Sequence, residues 1–342
     1  MASIREVAKL AGVSPSTVSR VINGTANVDA EKKDRVLKAI EESGFTPNEV
    51  ARSLFKKSSK TIGVIVPSIT NPFFAEMSSA IEHTANQHGY RMTICNTGGD
   101  VEKEKTAISM LTSMNVDGIV LTTSNKGLKK IIENCETPIV AIDRAVSRNT
   151  AGGYIHCDNY EGGRMAAQHL IDCGCKSIVC VRGLDRISSA SERYKGYQDV
   201  CMEQGIKEHS IQCDYSFHEG LEMTQKLLEQ FPDVDGIIAC NDMVAISIYK
   251  VLCRRNIRVP EDIQLIGYDN IALAHLMTPE LTTVGQPIKK MGIKAVNMLL
   301  QKETKSYKEY IFSPELIVRE TTKEMKGADQ DRKSTRLNSS HT

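Results

Sequence analysis

From Thr61 to about residue 326 the chain repeats one unit, a short apolar run followed by a longer stretch with helical spacing. The apolar runs fall at residues 62–66, 91–95, 118–121, 139–142, 154–157, 177–181, 236–240, 263–267 and 282–284. Between them, helices are predicted at 74–88, 102–114, 126–134, 160–173, 190–204, 221–230, 242–255 and 288–301. Strands that are apolar on both faces must be covered on both sides, so the alternation dictates parallel sheets sandwiched by helices. One large sheet and two separate lobes fit the pattern equally. In either arrangement ligands bind beyond the carboxyl ends of the strands.

Composition narrows the class. At ~100–200 residues per domain, 342 residues hold two or three domains. No run approaches ~18 consecutive apolar residues, so no membrane span is expected. The first residues carry Arg5 and Glu6 and no apolar segment, unlike a secretory signal. The ten cysteines avoid the first 60 residues and form no CxxC, and Cys173 and Cys175 are too close together for the usual zinc spacing. They read as reduced, buried small apolar residues in a cytoplasmic protein, with no metal site and no cofactor expected. Charge is uneven. Residues 1–60 hold 11 Lys and Arg against 7 Asp and Glu, whereas residues 61–330 hold 29 against 34. A basic head on an acidic body suits a head that meets a polyanion.

That head reads as three short helices. Ser3 and Glu6 fit a capping box, with Val7, Ala8, Leu10 and Ala11 on the inner face before Gly12 breaks the helix. Ser14 caps a second helix with Pro15 at its first position and Val18, Val21 and Ile22 buried, ending at Asn23 and Gly24. Asp29 caps a third, with Val36, Leu37 and Ile40 inward, ending at Gly44. Two helices joined by a glycine turn and buttressed by a third form a helix-turn-helix. Its second helix can enter the major groove, presenting Pro15, Ser16, Thr17, Ser19 and Arg20 to base edges. Arg20 is the natural guanine reader, because its fork matches O6 and N7. A plain three-helix bundle is the alternative.

The residues following the apolar runs share another chemistry. They are Asn71, Phe73 and Phe74; Asp143 and Arg144; Arg193; Asn241 and Asp242; Asp269 and Asn270; and Gln286, with Phe217 ahead of a predicted helix. Aromatic faces cover the C–H faces of a sugar, while carboxylate, guanidinium and amide groups bond its hydroxyls. Each has a plainer alternative: Asn71 and Asp242 as helix caps, Phe73 and Phe74 as core, Asp143 and Arg144 as a surface pair. Their repeated placement at strand ends favours a site.

Two stretches carry a family resemblance. Residues 8–14 with 17–23, and residues 44–54, are similar to the head of the lactose/galactose repressor (LacI/GalR) family. The resemblance implies a transcriptional repressor acting as a homodimer on double-stranded operator DNA. The implied architecture is an all-α helix-turn-helix head (1–47), a hinge helix and linker (48–60), and an α/β two-lobed periplasmic-binding-protein-like (type I) sensor (61–326). The N-lobe is expected at about 61–158 and 286–316, and the C-lobe at about 159–285 and 317–326. Crossings between lobes are expected near 158–160, 283–286 and 316–319. Ser14, Asn23, Ala51, Arg52 and Leu54 join the DNA-facing set. Leu54 matches the position that wedges between central base pairs and kinks the duplex. Arg52, Lys56, Lys57 and Lys60 would neutralise phosphates. Within the family the pocket is most similar to ribose-binding members, with Asn71, Phe73, Phe74, Asp143, Arg144, Arg193, Phe217, Asn241, Asp269 and Gln286 as the ligand contacts. The pair Asp143 and Arg144 discriminates most, since purine-sensing relatives usually lack it.

D-ribose as inducer is thus the expected function. A purine nucleobase or nucleoside, or another sugar, as co-repressor is the alternative, with Phe73, Phe74 and Phe217 stacking a planar ring. A glycoside-cleaving enzyme built on Asp143 and Asp269 would leave the head unexplained. A phosphocarrier protein, used as co-regulator by some family members, remains open as a further partner. Residues 327–342 are expected to be a disordered tail, and 331–341 look like a translated sequencing adapter.

Overall fold

The computed structural model describes residues 2–24, 28–45, 58–144, 152–301 and 306–324. It divides into two units, residues 1–59 and 60–342.

The head holds α1 (Ile4–Ala11), α2 (Pro15–Asn23) and α3 (Ala30–Ser43). The capping box forms as expected: Ser3 Oγ accepts from Glu6 N at 3.3 Å, and Glu6 Oε2 accepts from Ser3 N at 2.6 Å. Ser14 and Asp29 cap the next two helices, and Gly12, Gly24 and Gly44 close all three in the left-handed region. Val7, Ala8, Ala11, Val18, Val36 and Ala39 form the buried core. Two residues expected inward point to solvent: Leu10 is 60% exposed and Leu37 49%. The reason is geometric. A three-helix bundle this small buries only a narrow stripe of each helix, and both residues lie at its margin.

The second unit resolves the choice between one sheet and two lobes. Its elements, in order, are β1 (Thr61–Val66), α4 (Pro72–Gln87), β2 (Arg91–Asn96), α5 (Val101–Ser113), β3 (Gly118–Leu121), α6 (Lys129–Glu133), β4 (Ile139–Ile142), β5 (Gly153–Cys157), α7 (Asn159–Asp172), β6 (Ile178–Arg182), α8 (Ser188–Gln204), β7 (His209–Gln212), α9 (Phe217–Gln230), β8 (Gly236–Ile238), α10 (Asp242–Arg254), β9 (Gln264–Asp269), β10 (Thr282–Gly285), α11 (Ile288–Leu300), β11 (Lys308–Phe312) and β12 (Glu315–Ile317). Two six-stranded sheets form, in the orders β11-β5-β4-β3-β1-β2 and β12-β10-β9-β8-β6-β7. Every pairing is parallel except β10 with β12.

The chain passes between sheets three times: from β5 into α7, from β10 into α11, and from β11 into β12. The third passage comes earlier than the expected 316–319. Phe312 still pairs in the N-lobe sheet and Glu315 already pairs in the C-lobe sheet. Strands β7, β11 and β12 were not among the predicted runs. Each is short or polar and lies at a sheet edge, where one-sided packing removes the double apolar signature. Helix α9 begins four residues before the expected start at 221, because Ser216 Oγ caps Glu219 N at 3.2 Å. Seven cysteines are buried and Cys95, Cys135 and Cys253 are less so. Burial pushes the thiols of Cys157, Cys175 and Cys213 up to about 12, which keeps them protonated. No described helix is long and apolar enough to cross a membrane.

Candidate ligand cleft and DNA-binding head

In both lobes the carboxylate at the strand end sits on left-handed backbone. Asp143, just after β4, has φ 62°, and Asp269, the last residue of β9, has φ 110°. L-residues other than Asn and Asp seldom adopt this region, and such strain collects where a side chain must be aimed. In the N-lobe, Tyr154 Oη donates to the Asp143 carbonyl at 3.2 Å. Asp143 Oδ2 lies 3.2 Å from Arg144 Nε, close enough for an ion pair but not aligned for a hydrogen bond. The Arg144 guanidinium stands 5.5 Å from the Phe74 ring and 5.2 Å from the Tyr215 ring. It is thereby placed between one aromatic from each lobe.

Arg193 organises the C-lobe side. Its Nε donates to Asn159 Oδ1 at 2.8 Å and one terminal nitrogen to the Cys240 carbonyl at 2.9 Å. Its other terminal nitrogen is 3.7 Å from Asp269 Oδ1, and its guanidinium stacks 3.6 Å from the Tyr268 ring. Gln286 Nε2 donates to the same Asp269 oxygen at 2.8 Å. Burial pushes the Asp269 carboxyl up to about 7, with Arg193 and the Gln286 bond pulling the other way. Arg144 Nε, Gln286 Oε1 and the hydroxyls of Tyr215 and Thr122 are buried without a hydrogen-bond partner. Buried polar atoms left unpaired at strand ends point to a polar ligand that would satisfy them.

The expected ligand residues therefore divide. Phe74, Asp143, Arg144, Arg193, Asp269 and Gln286 belong to this network. Asn241 joins through Tyr215, whose carbonyl lies 3.5 Å from Asn241 Nδ2, while its Oδ1 caps α10 at Val244 N. Asn71 caps α4, accepting from Phe73 N at 3.1 Å. Phe73 lies in the N-lobe core, edge-to-face with Phe74 at 5.0 Å. Phe217 opens α9, and Lys250 Nζ stands 5.5 Å from its ring. Sequence reasoning passed over Tyr215, Asn159 and Thr122. Tyr215 follows β7, the edge strand whose polar residues hid it. Asp242 proves to be no helix cap: its Oδ2 accepts from Ile271 N at 2.9 Å and its Oδ1 from Thr283 Oγ1 at 2.6 Å. One group of three potential metal ligands occurs among the described residues, Cys213, Asp214 and Glu219. Its oxygens serve the local turn, since Glu219 accepts from Asp214 N and Asp214 from Ser216 N.

In the head, Pro15, Ser16 and Arg20 are exposed, and Thr17 and Ser19 half-buried. Ser14 Oγ caps α2 at Thr17 N (3.2 Å) and touches Ser16 Oγ at 2.8 Å. Asn23 turns back on its own helix, donating to the Ser19 carbonyl at 2.8 Å. Ala51, Arg52, Leu54, Lys56 and Lys57, the rest of the expected hinge helix, and the 327–342 tail lie outside the described residues. Lys60 lies over the Tyr90 ring, 4.2 Å from its centre.

Residues 3–48 match the family described as "Bacterial regulatory proteins, lacI family", and residues 59–319 match "Periplasmic binding proteins and sugar binding domain of LacI family". The chain belongs to the LacI family of transcriptional regulators. Within that class it is a DNA-binding repressor with a sugar-binding domain, and not an enzyme. It is 39% identical to the ribose operon repressor of Halalkalibacterium halodurans over 327 residues, covering 94% of this chain and 98% of that protein. It is 36% identical to the repressor PurR of Pasteurella multocida over 332 residues, covering 94% and 99%. Among solved structures it resembles the lac repressor dimer bound to operator and the anti-inducer ONPF, at a TM-score of 0.85 and 26% identity, covering 94% of this chain and 99% of that one.

Proposed function

We propose that this chain represses transcription as a cytoplasmic homodimer on operator DNA and releases it when D-ribose binds between the lobes. The observation that carries the effector is the network of two carboxylates and two guanidiniums, in and around which Arg144 Nε, Gln286 Oε1 and the Tyr215 hydroxyl lie buried and unpaired. A pentose presents a hydroxyl in nearly every direction and suits such a lining. The similarity to a named ribose operon repressor supports the same reading. Asn71, Asp143, Arg144, Arg193, Asn241, Asp269 and Gln286 bond the hydroxyls, and Phe74, backed by Phe73 from the N-lobe core, shapes an apolar wall with Phe217. The similarity to PurR favours a second reading, a purine nucleobase or nucleoside in place of the sugar. Isothermal calorimetry of the full chain with D-ribose, guanine and adenine separates them. Heat with ribose alone supports the first reading, and heat with a purine alone replaces it.

Asp269 makes ribose affinity depend on pH. Its carboxyl titrates near 7 when folded, against ~3.9 when unfolded. Its contribution to the stability of the ligand-free protein is therefore fully present below pH ~4 and lost as pH rises through about 7. A hydroxyl donating to Asp269 bonds the ionised form more strongly than the protonated one, so affinity moves the opposite way. Calorimetric titrations should show ribose binding weaken from pH 8 to pH 6, and the slope should flatten in Asp269→Asn.

On the head, Pro15, Ser16, Thr17, Ser19 and Arg20 face the major groove, and the wedge at Leu54 completes the contact with DNA. Arg20→Ala should weaken operator binding by about 1–3 kcal/mol in a mobility-shift assay, with little change on nonspecific DNA. An equal loss on both DNAs would make Arg20 a phosphate contact.

A further inference from the structure

We infer that Glu76 and Ile271 form a latch between the two lobes that sets ligand affinity without touching the ligand. This inference rests on the ribose reading only for its choice of probe.

The latch begins where β9 ends. Asp269 and Asn270 are consecutive left-handed residues, with φ 110° and 56°. Two such residues in a row persist only when their surroundings hold them. Here the fully buried Asp242 takes the Ile271 N–H, and an Arg319 terminal nitrogen donates to Asn270 Oδ1 at 2.6 Å. The resulting turn sends Ile271 out of its own lobe. Its side chain, 1% exposed, packs in the N-lobe cluster with Phe73, Phe74 and Met77, and Met243 of α10 packs against the same cluster. One residue further, the Ala272 N–H donates to Glu76 Oε1 of α4 across the lobe boundary at 2.9 Å.

Both contacts exist only with the lobes together, so they favour the closed arrangement. A ligand bound by groups from both lobes also needs that arrangement. Anything that stabilises it tightens the ligand by the same factor, and the converse holds. The turn that carries the latch also carries Asp269, and α4 carries both Phe74 and Glu76. Seating the ligand and seating the latch are thus one movement. Glu76 is here a positioning residue, acting through the lobes and not on the sugar.

Glu76 is half-buried on a helix surface, so its substitution leaves the fold intact. Hydrogen–deuterium exchange on the ligand-free full chain reads the latch directly. Glu76→Ala should speed exchange in peptides spanning 270–276, and calorimetry should show D-ribose affinity about 5- to 10-fold weaker, the net worth of an ordinary intramolecular hydrogen bond. Glu76→Gln, whose amide oxygen still accepts, should restore both. Unchanged exchange in Glu76→Ala overturns the latch. So does faster exchange with unchanged ribose affinity, because the bond would then not bias closure. Should wild-type protein bind no ribose, the ribose reading fails, and the exchange comparison decides the latch alone.

Discussion

Asp143→Ala should lower D-ribose affinity by on the order of 100- to 1000-fold while leaving operator binding by the ligand-free protein unchanged. The size follows from what stays behind. Asp143 is nearly buried, and its loss leaves the Arg144 guanidinium, whose Nε already lacks a hydrogen-bond partner, without its counter-charge beside two aromatic rings. Removing one partner of a buried charge pair costs about 3–4 kcal/mol, most of it from the stranded charge. Arg144→Ala should cost a similar amount for the reciprocal reason. Asp143→Asn separates charge from shape, because it keeps the left-handed backbone that Asn tolerates and loses only the carboxylate. Calorimetry of the three variants provides the check. A loss below tenfold in all three would remove the pair from the ligand site.

The second large effect is on folding. Helices α7 and α8 cross so closely that a Cβ on Gly163 would meet the Arg193 carbonyl at 2.0 Å, and one on Gly196 the Tyr160 carbonyl at 2.1 Å. Neither atom is the end of a flexible side chain, so Gly163→Ala must push the helices apart. Overpacking of this kind costs about 1–3 kcal/mol and sometimes more, or roughly 2–10 °C in Tm for a sensor of this size. Because Arg193 lies on the displaced helix, ribose binding should fall with stability. Gly99→Ala is the control: φ there is +70° with nothing within 4 Å of the added carbon. It should cost only the left-handed backbone, about 1–2 kcal/mol, and spare ribose affinity. Differential scanning fluorimetry with and without ribose distinguishes the two. Equal Tm for Gly163→Ala and wild type would show that the helices can separate freely.

Much of the site was legible because its chemistry sits at strand ends, and apolar strands announce themselves. Asp143, Arg144, Asp269 and Gln286 could all be placed this way, and they share a network in the folded chain. Tyr215 could not. The strand before it is His209–Gln212, an edge strand without the run of apolar residues that marks a central one. Asn159 was hidden for another reason: it opens a helix, and only the return of α8 brings Arg193 onto its side chain. Phe73 shows the reverse case, a residue rightly placed after a strand whose ring proves to lie in the N-lobe core.

Local chemistry settled the elements. Caps at Ser3, Ser14 and Asp29, glycine stops at Gly12, Gly24 and Gly44, and the alternation of apolar runs with helices depend on neighbours within a few residues, so they are written in the order of the chain. The tertiary structure decided what depends on distant partners. It divided the strands between two sheets and ended the N-lobe at Phe312. It turned Asp242 from a possible cap into the anchor of the 269–271 turn, and it brought Glu76 to the Ala272 amide 196 residues away. Such contacts leave no periodicity in sequence, since each joins two positions whose spacing is set by the path of the whole chain.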